Sequence, residues 1–179
     1  MRAIKRWALL LALVGLVGTF AGAGAQEEKV PLDKVPKAVA AAVKKRFPQA
    51  EVVGASKEVE DGKTVYEVTI KNKGQNIDVT LTPEGAITEI EKQIEAKDLP
   101  KAVAQALEAK YPKATYKIVE EVFKVKDGKE NLAYYEVLLV TADKKSFEVQ
   151  IAADGKIVNV EDKSKEKEEK KDDKKKDGK

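Results

Sequence analysis

Two stretches of this chain carry the same order of apolar and polar positions. Leu32 to Ala50 reads LDKVPKAVAAAVKKRFPQA, and Ala96 to Ala114 reads AKDLPKAVAQALEAKYPKA, displaced by 64 positions. In the first stretch Val35, Val39, Val43 and Phe47 recur every fourth residue, and in the second Leu99, Val103, Leu107 and Tyr111 do the same. That spacing puts each set on one side of a helix. Asp33 and Asp98 stand where an N-cap belongs, Pro36 and Pro100 fall in the first turn, and Pro48 and Pro112 stop each helix. Ala38, Ala40, Ala41 and Ala42 raise helix propensity and leave a smooth side able to lie close to a sheet.

After each helix the apolar period falls to two, the spacing of a strand. Strands are expected at 52–59, 64–71, 77–81 and 86–91, and again at 115–125, 133–140, 146–151 and 156–161. Asp61-Gly62, Asn72 to Gly74, Pro83-Glu84-Gly85, Asp127-Gly128 and Asp154-Gly155 supply the turns. The second copy is longer around Lys126 to Leu132, and additions to a repeated unit usually form loops at one edge. The expected fold class is α+β: two tandem repeats, 26–94 and 95–161, each one helix packed on a four-stranded antiparallel β-sheet.

The copies differ on the face that the helices should leave open. In the first, Glu67 and Thr69 make it polar; in the second, Tyr134, Leu138 and Val140 flank Glu136, and Phe123 on the preceding strand is expected to join them. A sheet covered on one side shows water on the other, so these side chains need cover from the rest of the chain or from a partner. Phe123, Tyr134, Leu138 and Val140 are therefore the expected partner-binding residues.

Both ends of the chain read differently from its middle. Residues 1–25 hold Arg2, Lys5 and Arg6, then an uncharged run closing on Ala23-Gly24-Ala25, the pattern of a signal peptide cleaved after Ala25. A membrane anchor is the rival, but the Gly/Ala-rich end is poorly hydrophobic, so no stable membrane span is expected once the signal is removed. Residues 162–179 are almost entirely Lys, Glu and Asp and are expected to be a disordered tail. Of 34 basic and 31 acidic residues, three basic ones lie in the signal, leaving 31 against 31. A balanced chain has no electrostatic footprint for nucleic acid.

The residue inventory narrows the chemistry. There is no histidine and no cysteine, which removes the commonest general base, the imidazole and thiolate ligands, and disulfides. Ser56 and Ser146 stand in no nucleophile motif, and Glu67 and Glu136, at matching repeat positions, read as solvated strand residues. No catalytic residue, metal site or cofactor is expected.

The run Val35-Pro36-Lys37-Ala38-Val39 through Phe47-Pro48, then Asp61-Gly62-Lys63-Thr64-Val65-Tyr66-Glu67-Val68 and Ile77 to Glu91, resembles the PepSY-like, beta-lactamase-inhibitor-protein-like domain of exported bacterial proteins. Leu99-Pro100-Lys101-Ala102-Val103, Tyr111-Pro112, Tyr135-Glu136-Val137 and Phe147 to Val160 repeat the likeness. The resemblance implies a duplicated helix-on-sheet unit in a periplasmic or secreted binding protein without catalysis. In similar inhibitors the tandem sheets grip an enzyme, although fold alone does not carry function. The expected function is an exported, non-enzymatic protein-binding or inhibitory module acting on an envelope or secreted partner, an enzyme or peptidase, through its outer sheet face. The alternative is a cell-envelope protein binding a small ligand or divalent cation with its acidic strands.

Overall fold

The computed structural model describes residues 28–60 and 62–164; the expected signal peptide, Asp61 and all but the first three residues of the expected tail lie outside them. The strands are β1 (Glu28–Lys29), β2 (Glu51–Glu60), β3 (Lys63–Asn72), β4 (Gln75–Leu81), β5 (Ile87–Gln93), β6 (Thr115–Lys126), β7 (Lys129–Val140), β8 (Ser146–Ile151) and β9 (Ile157–Asp162). Two helices, α1 (Lys37–Arg46) and α2 (Lys101–Lys110), occupy the β1–β2 and β5–β6 connections.

Each helix begins later than the sequence suggests. Short 3-10 turns at Leu32–Lys34 and Ala96–Asp98 hold Asp33 and Asp98, and the N-cap positions belong to Pro36 and Pro100, with no side-chain cap bond. The cause is the proline, which disfavours helical geometry in the residue before it. Val35 and Leu99 are extended, so the aspartates are cut off from the helices they were expected to cap.

Among the described residues the two expected four-stranded sheets are one sheet of nine strands in strict chain order, antiparallel throughout. The junction is β5 on β6, from Glu89 opposite Lys124 to Gln93 opposite Glu120. The extra strand is β1, a two-residue piece on the edge of β2. Both helices cover the same face. Residues opposite one another on neighbouring strands point the same way, and Ile90 of the α1 core faces Phe123, while Glu121 faces both Lys92 and Tyr135 of the α2 core. Val39, Val43 and Phe47 pack on Val68, Ile70 and Val79; Val103, Leu107 and Tyr111 pack on Val137, Leu139 and Val149.

Of the alanine side of α1 only Ala42 packs against the core, while Ala38, Ala40 and Ala41 are exposed. The helix also passes close to a turn. Gly85 has φ +86, and a Cβ there would stand 2.6 Å from the Ala38 carbonyl oxygen; Gly155, with φ +87, would meet Ala102 at 2.7 Å. The expected loop at Lys126 to Leu132 is also absent. β6 and β7 run through it and close on Asp127-Gly128 alone, both with positive φ (53 and 74), as a two-residue hairpin requires. The extended hairpin places Glu130 between Arg46 at the end of α1 and Lys92 of β5, forming ion pairs with both. No helix among the described residues is long and apolar enough to cross a membrane.

Gly85→Ala and Gly155→Ala should each lower stability by about 2–4 kcal/mol, combining left-handed strain with a collision against helix backbone. Gly128→Ala, which meets nothing within 4 Å, should cost about 1 kcal/mol. Urea unfolding midpoints of the three variants measure the difference.

Candidate functional site

The face without helices is built from cross-strand rows. One runs Ser56, Glu67, Thr80, Glu89, Lys124; the next runs Thr69, Asp78, Glu91, Val122, Tyr134. A third runs Gln93, Glu120, Glu136, Gln150, and beside it Leu138 stands opposite Glu148. Carboxylates that are far apart in sequence, Glu89 and Glu91 on one side of the β5–β6 junction and Glu120 and Glu136 on the other, therefore meet at the centre of the sheet. One oxygen from each of Glu91, Glu120 and Glu136 lies within 4.8 Å of the other two. Glu89 pairs with Lys124, Glu148 with Lys163 at 3.6 Å, and Gln150 donates to Glu136 at 3.0 Å.

Glu91, Glu120 and Glu136 are half-buried rather than solvated, and their protons are held accordingly. Burial pushes Glu120 and Glu136 up to about 7, helped by Asp78 beside the first and Glu148 beside the second. Burial raises Glu91 as well, and the charges of Glu136, Glu120 and Glu89 add to it. A crowd of acids titrating near neutrality can hold a proton, bind a cation, or attract basic side chains.

Of the expected partner-binding residues, Tyr134 and Leu138 lie on this face, each half-buried. Burial, then Glu89 and Glu136, raise the Tyr134 phenol above its ordinary range. Val140 points the same way at the end of β7, opposite Thr115 and Ser146. Phe123 does not join them. It stands opposite Ile90 on the helix side, with the Lys92 Nζ 4.2 Å from its ring centre. A bulge at Ala133 shifts the β6–β7 register, so Val122 rather than Phe123 opposes Tyr134. The glutamate cluster escapes sequence reading because it needs the β5–β6 pairing. The only sequence signal is the shared parity of Glu89, Glu91, Glu120 and Glu136 once that junction is drawn.

The PepSY-like family model, described as beta-lactamase-inhibitor-like, matches residues 23–89 and again 78–159. Among solved structures, the chain is similar to a candidate periplasmic protein from Bacteroides eggerthii, at 16% identity and TM-score 0.59, covering 73% of this chain and 91% of that one. It is similar to a DUF2874 family protein from Bacteroides uniformis, at 20% identity and TM-score 0.56, covering 71% and 88%. A BLIP-like protein from Bacteroides fragilis has 17% identity and TM-score 0.52, covering 71% and 85%. At these identities the likeness is one of fold. No curated protein matches by sequence.

The raised carboxyls give stability a definite pH slope. Unfolded glutamates ionise near about 4.3, whereas Glu120 and Glu136 keep protons in the fold to about 7. Between those values the folded state binds more protons than the unfolded one, so stability falls as pH rises. Urea midpoints should drop between about pH 5 and pH 8, and Glu120→Gln,Glu136→Gln should flatten the slope and exceed the parent at the higher pH.

Proposed function

The chain belongs to the PepSY-like, beta-lactamase-inhibitor-like family, and from that premise we propose that it is an exported, non-enzymatic module that binds another protein through the helix-free face of its sheet. The carrying observation is the set of rows that bring Glu89, Glu91, Glu120 and Glu136 from both repeats around Tyr134 and Leu138. Such a surface suits a partner presenting lysine or arginine around an apolar or aromatic side chain. The acidic surround steers the encounter, and Tyr134, Leu138 and Val140 supply apolar contact. Binding another protein and blocking an enzyme's cleft are the same act at different addresses, so an inhibitory role fits this surface as well. A periplasmic or secreted location is supported by the N-terminal pattern and by the B. eggerthii protein of similar fold.

The three converging glutamate oxygens favour a second reading, a divalent cation at Glu91, Glu120 and Glu136. All-oxygen donors suit calcium or magnesium, with water or a partner's oxygens completing the shell.

Captured on the immobilised chain from an envelope fraction, a partner should be lost with Tyr134→Lys,Leu138→Lys and released by raising salt from about 0.1 M to about 1 M. Equal capture by a folded double variant would defeat the face as a binding site. For the second reading, calcium should raise the melting temperature of the parent and not of Glu120→Gln,Glu136→Gln; an identical response of the two would remove the cation from consideration.

A further inference from the structure

The two edges of the sheet carry the two halves of its central junction. In that junction Lys92 faces Glu121, Gln93 faces Glu120, and the Ile94 N–H donates to the Val119 carbonyl at 2.8 Å. The same three contacts recur 64 positions earlier: Glu28 faces Lys57, Lys29 faces Ser56, and the Val30 N–H donates to the Ala55 carbonyl at 2.9 Å. β1 is thus a stub of a β5-type strand. It makes two pairs on β2 where β5 makes five on β6.

At the far edge, β9 is the second repeat's β5. Both strands follow a glycine turn, and both skip a residue after the first pair, Thr88 in one and Val158 in the other. Matching the ladders puts Asp162-Lys163 in the place of Lys92-Gln93. The order acid then lysine is that of Glu28-Lys29 in β1.

We propose that β9 of one copy adds to the β2 edge of a second copy in the register of the β5–β6 junction, displacing β1, and that β1 is the plug that keeps the sheet from running on. In this register Asp162 meets Lys57, the lysine that Glu28 now holds at 3.6 Å, and Val160 meets Val59. The backbone of β9 is oriented for it. The Lys163 N–H donates inward to the Ser146 carbonyl, so the ladder's alternation turns the Asp162 and Ser164 N–H groups off the open edge. The Ser164 N–H is covered by the Asp162 carboxylate at 2.9 Å, and joining would pass it to the Ala55 carbonyl as Asp162 turns to Lys57. Glu161 opposite Glu58 is the unfavourable pair of this register and keeps the association weak. The contact is head to tail, so it does not close at two copies.

The chain has no cysteine, which permits a direct test by mixing two size-tagged versions of the exported chain, Glu58→Cys and Glu161→Cys. Within one copy the sites lie on β2 and β9, seven strands apart or about 34 Å, so a bond between them joins copies. Mild oxidation should give mainly the mixed disulfide, more of it when β1 is weakened by Val30→Pro and little when Asp162→Pro removes an outward N–H. Sedimentation of the Val30→Pro chain should show species of twice the mass and above that grow with concentration. Mixed bonds no more abundant than same-site bonds, or insensitive to Asp162→Pro, would overturn the proposal. If Val30→Pro does not fold, the crosslinking of the two cysteine versions alone still decides. Both cysteine sites lie toward the ends of the helix-free face, on β2 and β9, and neither replaces a residue of the patch formed by Glu91, Glu120, Glu136, Tyr134 and Leu138.

Discussion

Everything on the helix-free face depends on five cross-strand pairs between β5 and β6. Without that ladder the two repeats would present separate faces, the first with Glu67, Asp78, Glu89 and Glu91, the second with Glu120, Glu136, Tyr134 and Leu138. With it, Glu91 stands beside Val122 and Glu120, and a patch appears that neither repeat owns. The junction also sets direction. Because the shared ladder keeps Ile90 and Phe123 on one side, both helices fall on the same face and the other is left open.

Crowding carboxyls at the middle of a sheet opposes folding at neutral pH, and the rest of the structure offsets it. Each helix buries two core residues, Val39 and Val43 in one and Val103 and Leu107 in the other, and the sheet beneath them is lined with fully buried valine, isoleucine and leucine. A protein whose core is this regular can carry a destabilised patch, and such patches are more often retained for use than for stability.

The scaffold was legible in the sequence for a simple reason: its signals are local. The four-residue stripe, the fall to a two-residue period and the glycine turns each act over a few positions, and the strands 64–71 and 146–151 match β3 and β8 closely. What was hidden depends on pairing across the chain. Phe123 falls on the helix side, away from Tyr134, because a one-residue bulge at Ala133 inverts a strand's parity, and nothing in the composition of β7 announces it. Glu136 looks solvated from sequence because its neighbour Glu120 depends on the bulged β6–β7 register and Glu91 on the β5–β6 junction. The missing caps at Asp33 and Asp98 are a different kind of miss, a competition between two local rules that proline won.

The long β6–β7 hairpin has a mechanical meaning. In a sheet built by simple repetition each unit touches only its neighbour, and an end can peel away while the rest stays folded. Here Glu130, at the tip of the second repeat's hairpin, reaches back to Arg46 at the close of the first repeat's helix. Lifting the earlier unit's helix therefore also breaks an ion pair supplied by the later one. The β5–β6 ladder joins the two copies of the motif, and the lengthened hairpin adds a second tie between them, from the later unit's hairpin to the end of the earlier unit's helix.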